Sequence, residues 1–299
     1  MSELAAEVAL EPASPTAAAV AIPARTRRKG QGVGFWLAVG WLVLLVVLAA
    51  LAGVLPFVKD PNLPQAGALR QGPSAEHWFG GDAIGRDIFS RVVYGARVSL
   101  GIGVAAIGLG MLIGGTLGVL AAYFRGKLDS ALSAVADVLL AFPPLIVLLA
   151  LIAFLGQNAR NVILGLTIIS IPSLFRIARA ATMAVAQREF VLAARAVGSR
   201  HRRIIAREIL PNVAPPLLSY GLLSIAVVVV AEGALSFLGL SVSAPTPTWG
   251  SLINEGRSLL DETPHAALIP CAVMFITLLS LNHVGDRLRT IFDVRESVL

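Results

Sequence analysis

The chain of 299 residues is 56% hydrophobic and only 14% charged, with a mean hydropathy of +0.79. Soluble proteins carry about 25% charged residues, so a water-soluble enzyme, a disordered chain and a coiled coil are all excluded. Cys271 is the single cysteine, which excludes an intrachain disulfide and a Cys-based metal cage, and the excess of 24 Lys and Arg over 18 Asp and Glu is read as charge that orients a membrane protein rather than as a nucleic-acid surface.

Residues 1–32, rich in Ala, Pro and Glu, can bury no core and predict a disordered cytoplasmic tail closing on Arg25, Arg27, Arg28 and Lys29. Residues 33–58 are almost uninterruptedly apolar and long enough for a ~30 Å hydrocarbon core, which predicts transmembrane helix 1. Ala50-Leu51-Ala52 imitates a signal-peptide cleavage site, but the tail is long and the apolar run continues beyond it. Residues 59–97 form the longest polar excursion, an extracytoplasmic loop. Within it Asp82, Arg86, Asp87 and Arg91 stand at helical spacing. They either tie the loop together through ion pairs or contact an external partner. The remainder, 98–299, reads as a core of five further spans at 98–124, 132–155, 162–177, 213–240 and 266–284, the one at 162–177 being the shortest.

Gly110, Gly114 and Gly118 continue a four-residue repeat from Ala106. Such a stripe lets helix backbones approach closely in lipid, and helix packing is its expected role. Pro143-Pro144 must bend the third span and free backbone carbonyls. With the N-terminus inside, 17 of the 24 basic residues fall on the inner side and 7 on the outer, which places both termini in the cytoplasm.

Residues 187–212 read as two short amphipathic helices. Phe190, Val191, Ala194 and Val197 recur at helical spacing on the first. Gly198 suits a left-handed cap, Ser199 a helix start and Pro211 a stop. Ile204, Ile205, Ile209 and Leu210 give the second helix an apolar side. From the residues alone, an amphipathic connector at the headgroups and a docking element remain equally open. The chain has no GxxxxGK[ST], HExxH or GxSxG pattern, and His77, His201, His265 and His283 are scattered, so no catalytic chemistry is expected.

The order Glu189, Ala193-Ala194-Arg195, Gly198, Ile204-Ile205 and Ile209-Leu210-Pro211-Asn212 resembles the EAA loop of ABC importer permeases, in the form of the dipeptide/oligopeptide/nickel family. Leu192 replaces the general consensus Glu, and Glu208 stands where the subgroup often has His. His77 to Arg91, Asp137 to Pro143, Glu232 to Leu240, Trp249-Gly250 and Asn282 to Arg289 resemble further signatures, with Thr290 and Val294 departing from the pattern. The chain is most similar to the second (C-type) permease subunit of such importers.

The resemblance implies an all-α membrane protein of six transmembrane helices with the type I ABC importer permease fold and a cytoplasmic coupling helix. Glu189, Ala193, Ala194, Arg195, Gly198, Ile205, Leu210 and Pro211 then couple to an ATPase, with Ile205 and Leu210 as anchors to the chain's own helices. Implied partners are a sister permease in a heterodimer, two ATP-binding subunits, an extracytoplasmic substrate-binding protein and membrane lipid, with no nucleic acid. No cofactor is expected in this chain; ATP and Mg belong to the partner subunits. The implied place is the bacterial inner membrane, and the implied cargo is di- or oligopeptides, with nickel chelates or glutathione-like compounds as the alternative. A stand-alone secondary transporter is the rival, and no internal repeat supports it.

Asp137 and Glu232 lie inside expected spans, where a charge costs ~2.5–3.5 kcal/mol at the helix centre. They are candidates for the translocation path or gate, against the simpler reading that each is paired within the protein.

Overall fold

The computed structural model describes residues 32–65 and 67–296, with side chains through Ile291. The basic cluster Arg25 to Lys29, and the side chains of Val294 and Arg295, lie outside the described residues. Among the described residues the chain is helical; one isolated bridge joins Gly81 and Asp87.

Helix α1 (Val33–Leu51) ends seven residues before the expected boundary at 58. Gly53 and Pro56 follow, and Pro56 can neither donate a helical N–H nor let its predecessor stay helical. Helix α2 (Ile88–Gly110) starts ten residues before the expected 98, because Asp87 caps it by accepting from the Ser90 N–H at 2.8 Å. The polar excursion therefore closes at 87, not 97. A π turn (Met111–Gly115) carries α2 into α3 (Thr116–Phe124), making one rod of 37 residues. The Thr116 hydroxyl donates to the Leu112 and Ile113 carbonyls at 2.5 and 2.9 Å, beside the bonds these oxygens accept from the Thr116 N–H.

Helices α4 (Gly126–Ala141) and α5 (Pro144–Leu155) meet at 87°, so the expected single span at 132–155 is broken. Phe142 is extended (ψ 139°), as a residue before proline must be, and Pro144 restarts the helix. Helix α6 (Ala159–Val185) is longer than the expected 162–177, because Pro172 is absorbed and Arg176 and Arg179 find partners.

Helices α7 (Glu189–Ala196) and α8 (His201–Ile204) follow, and a π turn (Ile205–Ile209) leads into α9 (Leu210–Phe237). Pro211 does not stop the second helix. The wide turn just before it accommodates its missing N–H, and Asn212 Nδ2 donates to the Glu208 carbonyl at 2.6 Å. Helix α10 (Trp249–Arg257) opens with a Thr248–Ser251 capping box, and α11 (His265–Glu296) ends the described chain.

Five helical stretches are long and apolar enough to cross a membrane, and the bent α4–α5 pair makes a sixth when taken as one span. Buried side chains gather in layers along the bundle. One layer joins α1, α2, α9, α10 and α11 around Trp249; a middle one joins α2, α5, α6 and α9. A third, at the opposite end from α10, joins α3, α6, α7, α8 and α9.

The glycine stripe seats α6. A Cβ added at Gly114 falls 2.6 Å from the Ile171 carbonyl oxygen, and one at Gly118 falls 2.5 Å from that of Phe175. At Gly110 the obstacle is the Leu174 side chain, at 2.8 Å.

Candidate functional site: residues 187–212, the Arg91 knot and the cleft between them

Glu189 opens α7, where a negative side chain complements the helix N-terminus. The helix closes on Gly198 at φ +77°, with the Gly198 N–H donating to the Arg195 carbonyl (2.9 Å) and the Ser199 N–H to that of Ala194 (3.0 Å). Ser199 does not cap α8; Arg200 holds that position without a side-chain bond.

Val191, Ile204 and Ile209 are fully buried with Val119, Tyr123, Ala178, Val185 and Val213. Ile205 only borders this cluster, and Leu210 is exposed, so the anchors differ from those expected. The cause is the π turn: its wide pitch brings residues five apart, Ile204 and Ile209, to the same inward face.

The expected apolar stripe of α7 also divides. Val191 and Ala194 turn inward, whereas Phe190 and Val197 are exposed. Leu192 (51% exposed) and Val197 (85% exposed) point away from this core. Ala193, Glu189 and Gly198 share that open side, while the Arg195 guanidinium lies over the Tyr123 ring, 4.8 Å from its centroid. Pro211 sits in the first turn of α9.

At the other end, Arg91 is 1% exposed. Its Nη1 donates to Asp82 Oδ2 (2.7 Å) and Glu255 Oε2 (2.7 Å), and its Nη2 donates to Glu255 Oε1 (3.1 Å). Arg86 donates to the same two carboxylates at 2.6 and 2.5 Å. The knot thus ties the loop after α1 to α2 and α10. Asp87 stands apart from it, capping α2 and holding His77 Nδ1 at 3.0 Å. Glu255, 164 positions from Arg91, is the member the sequence reading missed.

Burial pushes the Asp82 carboxyl up, but the backbone amides of Arg86 and Ile84 and the Arg86 charge outweigh it, and its pKa lies below the usual 3.8. Asp82 therefore holds the knot fully at neutral pH, and its contribution fades only as pH falls below 3.8 and through the depressed value. Removing one member of a buried charge pair costs about 3–5 kcal/mol, whereas an exposed pair contributes about 0–1 kcal/mol. Arg91→Ala is expected to lower the thermal midpoint of the purified protein sharply, and Arg70→Ala, which breaks only the exposed Arg70–Glu262 pair, to leave it nearly unchanged. Equal midpoints for the two variants would contradict this account.

Glu232 is fully buried. It accepts from Ser99 Oγ at 2.9 Å and Ser241 Oγ at 2.8 Å, and Ser99 Oγ in turn accepts from the Trp249 N–H at 3.3 Å. The carboxyl joins α2, α9 and the start of α10. Asp137 accepts from Arg176 Nη2 at 2.6 Å, both side chains being exposed.

Between the two ends a cleft of about 470 Å³ opens beside the α4–α5 break, lined by Pro143, Pro144, Ser170, Ser173, Tyr220 and Ser224 among apolar neighbours. Its wall offers hydroxyls and carries no charge; neither Asp137 nor Glu232 lines it.

Residues 114–298 match the family described as binding-protein-dependent transport system inner membrane component. The chain is 39% identical over 253 residues to the glutathione transport system permease protein GsiD of Escherichia coli, covering 85% of this chain and 84% of that protein. It is 35% identical over 259 residues to the dipeptide transport system permease protein DppC of Alkalihalophilus pseudofirmus, covering 86% and 85%. In fold it resembles a chain of the inward-facing MetNI methionine ABC transporter, with a TM-score of 0.58 at 20% identity over 68% of this chain and 96% of that one.

Proposed function

Because the chain belongs to the family of binding-protein-dependent transport system inner membrane components, we propose that it forms one half of a heterodimeric permease. Two ATPase subunits drive it, and an extracytoplasmic binding protein feeds it small peptides, glutathione among them. Relatives named for dipeptide and for glutathione transport support this cargo, since both compounds present amide groups and charged ends. The observation that carries the reading is the two-sidedness of α7. One side is held by Val191 in a core shared with α3, α6 and α9; the other leaves Leu192, Ala193 and Val197 open beside Glu189 and Gly198. Such a helix suits a groove of a partner, with apolar anchors for affinity and charge for register. On this reading α7 and α8 face the cytoplasm, and the tail and the C-terminus lie on the same side. The cleft beside Pro143 forms part of the path wall, and Glu232 and Asp137 serve as internal ties along it. Helix α1, the segment from it to Asp87, and the helices from α2 onward then act as peripheral span, outer loop and transport core.

Reconstitution in proteoliposomes tests the proposal. Uptake of a labelled dipeptide is expected only with the sister permease, the ATPase subunits, the binding protein and ATP all present, and excess glutathione is expected to compete. Uptake by this chain alone, or without ATP, would overturn it.

A further inference from the structure

The coupling segment meets the rest of the chain at a side chain that lies outside it. Tyr123, one residue before the end of α3, is 6% exposed within the core shared with α7 and α8. Its ring lies beneath the Arg195 guanidinium of α7, at 4.8 Å. Its hydroxyl shares a 2.8 Å hydrogen bond with Nδ1 of His201, the first residue of α8, and the two rings meet edge-on with centroids 5.6 Å apart. Phe124 closes the group, 5.8 Å from the His201 ring. Immediately beyond, Arg125 and Gly126 both take positive φ (56° and 63°). A conformation uncommon for a residue with a Cβ thus ends the rod at Phe124, directly after the aromatic pair.

We infer that Tyr123 is the positioning residue through which movement of both coupling helices is delivered to the α2–α3 rod. The inference rests on the docking role proposed above for α7. Arg195 and His201 sit on either side of the left-handed Gly198 turn, so one ring touches a side chain from each of the two helices. The rod it terminates runs the length of the bundle, through the glycine stripe against α6, to the knot around Arg91. A push on α7 or α8 therefore reaches the far end without passing through a loop. The hydrogen bond and the cation–π contact fix direction as well as distance, which apolar packing in the same core does not.

The test is transport per ATP hydrolysed in the reconstituted complex, compared at equal assembly. Tyr123→Phe and His201→Ala delete the same hydrogen bond and leave the ring in place. Each is expected to lower the ratio about threefold, and the double variant to lower it no further, as residues acting through one contact behave. Tyr123→Ala, which also releases Arg195, is expected to lower it about tenfold. Gly198→Asp serves as reference. If it uncouples while the Tyr123 and His201 variants keep the wild-type ratio, or if the effects of Tyr123→Phe and His201→Ala multiply, this inference is overturned and the docking role stands. If Gly198→Asp also leaves the ratio unchanged, the docking role itself falls.

Discussion

Gly118→Leu is expected to remove the folded chain from the membrane. A Cβ there meets the Phe175 carbonyl oxygen at 2.5 Å and the Ala178 Cβ and Arg179 nitrogen at 2.9 Å, so the obstruction is chiefly helix backbone, which has no rotamer to yield. Overpacking costs about 1–3 kcal/mol where side chains can shift, and here α3 and α6 must separate instead. In lipid nothing replaces that contact, since the surrounding chains are as apolar as the interface. Gly110→Ala is crowded chiefly by the end of the Leu174 side chain, with Ser170 and the Thr167 carbonyl oxygen at ordinary contact distance, and is expected to cost much less. Membrane abundance and monodispersity on size exclusion separate the two. A well-behaved Gly118→Leu protein with the wild-type thermal midpoint would refute the packing role.

The second large effect leaves the fold in place. Gly198→Asp has open space around its new Cβ, so the side chain itself clashes with nothing. At φ +77° a residue with a Cβ pays about 1–2 kcal/mol, less for aspartate, which visits this region readily. The variant should therefore insert and assemble. What changes is the open side of α7, where a carboxylate appears at the helix C-terminus, the end of the dipole that disfavours negative charge. Docked against a partner it would be buried without a counter-ion. Uptake is expected to fall at least tenfold while ATP hydrolysis persists but no longer responds to the loaded binding protein. Glu189→Lys, with the wrong charge at the opposite end of the helix, is expected to act in the same direction. Uptake at the normal rate in either variant would contradict a docking role for this segment.

The spans were legible in the sequence wherever apolar runs were long, as in α1 and α11, and the left-handed turn at Gly198 was legible because few other residues suit it. Helix starts were less so. Asp87, Ser90 and Arg91 look like loop residues to any hydropathy reading, yet they form the cap and first turn of α2, since each of the three side chains finds a hydrogen-bond partner inside the protein. Glu255 was out of reach for another reason: its pairing with Arg91 depends on where α10 lands after three further spans. At Pro211 a local rule gave the wrong end, because a π turn ending two residues earlier gave the chain a way past the proline. The same turn shifted the anchors from Ile205 and Leu210 to Ile204 and Ile209.

The knot around Arg91 does for this protein what a covalent staple does for many chains exposed outside the cell. With one cysteine in the sequence no sulfur bridge can form within the chain, and the guanidinium fastens two distant segments instead. Such a fastening needs no oxidising machinery and is indifferent to thiols. Because Arg91 is shut away from solvent, ambient salt screens it weakly. The cap over the bundle should hold through swings of redox poise and ionic strength, and give way first to strong acid.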